Sequence, residues 1–93
     1  MKNEKQCIWE VGKNYLIRTV TMTLTGKLEE VEDKELVLSS AAWIADLGRF
    51  TQAVEKGSFS EVEPFPEGKK VIVGRSAVID AVIIDFELPR KQK

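Results

Sequence analysis

The sequence predicts a mainly β domain, a small and strongly bent antiparallel barrel with a helical insert between its third and fourth strands. Three observations carry this prediction. Two blocks, Tyr15 to Leu38 and Val71 to Leu88, are dense in Val, Ile, Leu and Thr, which suit a pleated, half-buried surface. Gly26 interrupts the first block, and a glycine inside a strand marks a bulge or a sharp bend. Between the blocks the apolar spacing changes from two to three and four, the helical period.

Residues 1–7 are polar and read as a flexible N-terminus. Ile8 to Val11 reads as a short first strand, and Gly12-Lys13-Asn14 supplies turn chemistry after it. From Tyr15 the chain alternates, with Tyr15, Ile17 and Thr19 on one side and Leu16, Val20 and Met22 on the other. No turn signal falls between Tyr15 and Thr25, so this reads as one long strand. Alternation resumes at Leu28, a charged turn follows at Glu32-Asp33-Lys34, and Leu36-Val37-Leu38 returns as a strand. Ser39-Ser40 then offers a helix N-cap. Ala41, Ile44, Leu47, Phe50 and Val54 define a helical insert over residues 40–57, with Gly48 dividing it and Gly57 stopping it. Residues 58–69, with two prolines and a Pro-Glu-Gly turn, read as loop. The second block is almost continuously apolar from Ala77 to Ile84, broken only by Asp80. A strand with one wet face alternates, so this one needs cover on both faces. The cover is either a neighbouring subunit or the insert folded back. Residues 89–93 form a basic tail that reads as mobile.

Ninety-three residues make a single domain, 1–93, near the lower limit of independent stability. The net charge of −1 gives no global basic field to draw nucleic acid. Its distribution is uneven: residues 29–67 carry three Lys/Arg against ten acids, while residues 68–93 carry six against three. There is no His, which excludes Ser-His-Asp, Cys-His and His-ligated metal chemistry. Cys7 is the single cysteine, so no intramolecular disulfide can form. No apolar run approaches the roughly 18 residues needed to span a bilayer, and the start lacks the apolar stretch of a signal peptide. The expected location is the cytoplasm, with no membrane partner.

The two blocks resemble the Sm-like family, which includes Hfq and the spliceosomal Sm proteins. Gly26, Leu28, Val31, the Asp33-Lys34 turn and Leu36-Val37-Leu38 follow the order of the first Sm motif, with a turn shorter by about one residue. Val71-Ile72-Val73-Gly74-Arg75-Ser76-Ala77-Val78-Ile79 has the shape of the second, with Gly and Arg transposed. The chain is also similar to small phage and prophage proteins carrying a Trp-Ile-Ala-Asp-x-Gly-Arg-Phe segment. The resemblance implies a barrel that forms homo-oligomeric rings through its outer strands, and a nucleotide-contacting loop at Arg75. Three features depart from the family: the second-to-third-strand loop holds acids and no asparagine, the tight first hairpin is missing, and about 30 residues separate the blocks.

The segment Trp43 to Phe50 holds the densest functional side chains. Trp43 and Phe50 can stack a base, Arg49 can engage a phosphate, and Asp46 can accept from a base edge. Equally, Trp43 and Phe50 can pack on the barrel while Asp46 and Arg49 pair at i and i+3. Arg75 beside Gly74 can present a cation to phosphate or base, or lie at a strand bulge. Arg18 sits among uncharged strand residues and needs a carboxylate such as Asp80 or Asp85, or a ligand. No catalytic residue, metal or cofactor is called for. The reading is a non-catalytic, ring-forming protein of phage origin that binds a small nucleotide-type ligand at subunit boundaries. Its alternatives are a single-stranded RNA-binding module and an interaction ring without a small ligand.

Overall fold

The computed structural model describes residues 7–93. It is mainly β, with strands β1 (Asn14–Thr19), β2 (Thr23–Val31), β3 (Glu35–Asp46), β4 (Glu61–Pro64), β5 (Val71–Gly74) and β6 (Val78–Ile83), and helix α1 (Phe50–Lys56) between β3 and β4. All pairings are antiparallel, and the sheet runs β4-β3-β2-β1-β6 with β5 also on β3. β3 is long enough to hold two neighbours on one edge, β5 along Glu35–Leu38 and β4 along Ala42–Asp46. A single 3-10 turn, Arg75–Ala77, leads from β5 to β6. Those strands lie four strand-to-strand steps apart, roughly 19 Å if the sheet were flat. Three residues of 3-10 helix span only about 6 Å, so the sheet must curl into a barrel.

The curl begins where Gly26 was expected to bend the chain. The β2–β3 register slips between Thr25 and Lys27, and Ser40, at φ 49°, is the extra residue opposite. A Cβ on Gly26 would stand 3.1 Å from the Leu38 Cβ and 3.3 Å from that of Ala41, so the glycine lets the strands close up.

Five expectations are corrected. Ile8–Val11 is no strand; Trp9 instead packs its ring against Tyr15 at 5.2 Å between centroids. The missing first hairpin is present, a two-residue turn at Val20-Thr21. Its chemistry comes from Thr19, whose hydroxyl accepts from the Met22 and Thr21 amides and donates to the Met22 carbonyl. The insert is helical only over Phe50–Lys56, because residues 40–46 continue β3; residues 61–64 within the expected loop form β4. The basic tail is docked, not free: Lys93 exchanges both backbone hydrogen bonds with Val62, and Arg90 donates to the carbonyls of Ala41 (2.9 Å) and Phe65 (3.0 Å). Of the expected N-terminus 1–7, only Cys7 lies among the described residues, and it is exposed.

The sheet buries apolar side chains on both faces. Inside the curl Tyr15, Ile17, Leu24, Leu28, Leu36, Leu38, Ala41 and Val73 form one cluster. On the outward face Leu16, Ala42, Ile44, Val62 and Ile84 pack under Ala53 of α1 and Phe59. The insert therefore does fold back, and it covers β1 to β3. It does not cover β6, where Ile79 is 65% exposed and Val82 and Ile83 are more than one-third exposed. Gly57 ends α1 at φ 72° and donates its amide to the Ala53 carbonyl. Phe86 lies against it and meets Phe59 edge to face at 5.8 Å, which ties the insert to the segment after β6.

Candidate functional site

The register decides which candidate side chains can meet. Arg18 stands opposite both Thr23 and Asp80, and Thr23 stands opposite Ile44, so this row lies on the outward face. There Arg18 grips Asp80 in a fork, Nε to Oδ1 at 2.9 Å and Nη2 to Oδ2 at 2.6 Å. The Phe50 ring, carried in by α1, lies over the guanidinium at 5.0 Å. Arg18 has thus found the carboxylate partner that an isolated charge on a strand requires, and Asp80 is the partner.

Both ionic groups stay accessible, with side chains 39% and 52% exposed. The hydrogen bonds from Arg18 hold the Asp80 carboxyl below its usual range, and the same bonds raise the guanidinium further. Glu29 is likewise held down, first by the hydroxyl of Ser39 and then by Lys27 and Lys70. Both displaced carboxyls favour the ionised form, the reverse of what a general acid needs. Beside the fork a shallow hollow of about 380 Å³ is walled by Thr19, Thr21, Thr23 and Ile79. An aromatic face on a guanidinium, next to hydroxyls, suits a flat polar ring.

The other candidates lie elsewhere. Trp43 stands opposite Leu24, which stands opposite Ile17 in the inner cluster; it is on the other face from Arg18 and Phe50. At 42% exposure it is neither packed away nor within the cluster. The expected Asp46–Arg49 pair does not form, since that segment is not helical. Asp46 Oδ1 accepts from the Gly48 amide at 2.9 Å, and the exposed Arg49 side chain makes no hydrogen bond among the described residues. Arg75 turns back on the β2–β3 turn, where Nη1 donates to the carbonyls of Glu32 (2.7 Å) and Asp33 (3.3 Å). Of the six candidate side chains, only those of Arg18 and Phe50 meet among the described residues.

Sequence reading missed the Trp9 contribution. Ile8, Trp9 and Tyr15 form one wall of an open apolar hollow of about 530 Å³ whose other wall is β6. Among the described residues β6 pairs only with β1, so within that set its second edge carries unpaired backbone groups beside this hollow. β5 likewise has one neighbour, β3, and presents Ile72 at 70% exposure. Among the described residues no helix is long and apolar enough to cross a membrane, and no cluster of Cys, Asp or Glu could hold a metal ion. Compared with family models, curated proteins and solved structures, the chain matches none.

Proposed function

We propose that the chain is a non-catalytic protein that assembles into rings through its outer strands and binds a small nucleotide-type ligand at the boundary between copies. One observation carries the reading: the Arg18–Asp80–Phe50 cluster stands on the edge of the sheet that is left unpaired among the described residues, Asp80 being part of that edge strand itself. A ligand held there is within reach of a second copy. Phe50 and the guanidinium supply the stacking surface for the base, the threonine-walled hollow takes polar substituents, and exposed Arg49 at the start of α1 supplies charge for phosphate. In a phage setting, such a ring would have a use, the sequestration of a nucleotide signal of host defence.

Long single-stranded RNA is the weaker reading. Arg75, the expected contact, holds the acidic Glu32-Asp33 turn beside itself, which repels a phosphate backbone.

Native mass spectrometry of freshly purified protein tests the proposal. The expected result is a discrete oligomer with extra mass of a few hundred daltons per boundary, lost in Phe50→Ala while the oligomer persists. An oligomer without added mass, and without affinity for mono- and dinucleotides, removes the ligand. Retention of oligonucleotides that weakens steeply with salt returns the RNA reading.

A further inference from the structure

We infer that the hollow between the end of α1 and the segment after β6 binds a small organic anion, one negative group on a flat apolar body. This site is separate from the Arg18–Asp80–Phe50 cluster, and it needs no second copy, because one chain supplies every wall.

The hollow measures about 510 Å³, a size that admits a small ligand. Gly57, at φ 72°, turns the chain out of α1, so Lys56 stands on one rim and Phe59 returns as floor. The segment after β6 makes the opposite wall. Phe86 lies against Gly57, and Arg90 and Lys91 follow it along the rim. Phe59 and Phe86 form an apolar floor, fixed by their edge-to-face contact at 5.8 Å.

The rim is charged out of proportion to the chain. Lys56, Arg90 and Lys91 line it against a single acid, Glu87. None of these cations has a carboxylate partner, since the one ion pair among the described residues is Arg18–Asp80. Arg90 carries the argument furthest. Its Nη1 and Nη2 are fixed on the carbonyls of Ala41 and Phe65, and its Nε is buried with no hydrogen bond among the described residues. A partly buried guanidinium held by carbonyl dipoles alone lacks the counter-charge that burial calls for. An anion in the hollow supplies that charge, with its apolar body on the phenylalanine floor and the exposed Lys56 and Lys91 reaching its negative group.

The other hollows differ on this point. The one beside Trp9 has Asp80 as its only charged residue, and the one beside the fork has only Arg18, already paired. Neither presents an anion with a cation free of a carboxylate. Within the cationic rim, Glu87 favours a ligand with one negative group over an extended acidic chain, whose further charges it would repel.

Naphthoate and its uncharged counterpart naphthamide, titrated into the isotope-labelled full chain and followed by nuclear magnetic resonance, test the site. Naphthoate is expected to move the amides of Lys56, Gly57, Phe59, Leu88 and Lys91 saturably, and naphthamide to bind roughly tenfold more weakly. The Lys56→Glu/Lys91→Glu variant is expected to weaken naphthoate by about tenfold, and Glu87→Gln to tighten it by about twofold. Lys56, Glu87 and Lys91 are all exposed, so these variants keep the fold, as far-ultraviolet circular dichroism will register. Equal affinity for acid and amide, or naphthoate binding unchanged in the double variant, overturns the anion site. Shifts centred on Trp9 and β6 overturn it as well, by placing the probe in the other apolar hollow. The absence of saturable shifts at millimolar naphthoate overturns the small ligand, and a glutamate-rich peptide that then moves the same amides assigns this face to an acidic protein.

Discussion

Arg18 and Asp80 are 62 residues apart in the chain and meet in two parallel hydrogen bonds, the side-chain clasp between the second-block strand β6 and the first-block strand β1. Because Arg18 lowers the Asp80 pKa, the folded value lies below the unfolded one. The clasp therefore contributes fully above the ordinary aspartate range, near pH 4, and its contribution is lost as pH falls through the lowered value. Asp80→Asn should be less stable than wild type at neutral pH, and the two should converge on acidification below that range. Urea midpoints measured across pH check this. A difference that persists undiminished in acid would show that the ion pair is not its source.

Gly57 should not tolerate a side chain. Its φ of 72° is strained for any L residue, and a Cβ there would stand 2.6 Å from the Phe86 ring. Gly57→Ala is expected to cost about 2–4 kcal/mol. Gly12, at φ 95° with nothing within 4 Å of a Cβ, is the control; Gly12→Ala should cost only about 1–2 kcal/mol. Denaturant unfolding of both variants separates backbone strain from the clash with Phe86.

Thr19→Val keeps the shape of the side chain and removes the hydroxyl that organises the first hairpin. A loss of about 0.5–1.5 kcal/mol is expected, with faster exchange of the Met22 amide, which would lose its side-chain acceptor. Hydrogen exchange followed by nuclear magnetic resonance reads both. An unchanged Met22 rate would mean that the turn is held by the strand ladder alone.

Arg90→Met retains the apolar stem and deletes the two donors to Ala41 and Phe65; the Ala41 carbonyl keeps the Phe65 amide, and the partly buried Phe65 carbonyl loses its side-chain donor. The expected cost is about 2 kcal/mol. The amides of Val62 and Lys93, each of which donates to the other residue's carbonyl, should lose protection before the rest of the sheet. Equal loss everywhere would show that the segment unfolds only with the whole domain.

The outer strands and the Gly26 bend were legible because they rest on alternation and on the one residue without a Cβ. Residues 40–46 were not. The bulge at Ser40 shifts the phase of β3, so Ala41 joins the inner cluster and Ala42 and Ile44 the outward one. Two-sided burial after a one-residue slip leaves apolar residues at spacings of one and three, which reads as a helix. The first hairpin escaped notice because its turn uses a threonine hydroxyl and neither Gly nor Asn. Arg18's need for a carboxylate was readable, and Asp80 stood among its expected partners. The position of Phe50 over that pair was not readable, since it depends on where a short helix lands on a sheet. The same phase shift sends Trp43 to the opposite face, which no local pattern announces.

The placement of β6 beside β1 has a consequence for how the chain acquires its shape. Most ladders here join neighbours in sequence, yet β1 must wait for a strand some 60 residues further on before its second edge is paired. Chains dominated by such distant pairings fold in milliseconds to seconds, far slower than helical bundles of similar size. During synthesis the β1–β2–β3 meander can form early, with the Leu16 edge open to any other nascent strand. Arrival of β6 and of the segment that carries Phe86 and Arg90 is the step that ends this exposure, so aggregation during expression should track the time spent before it.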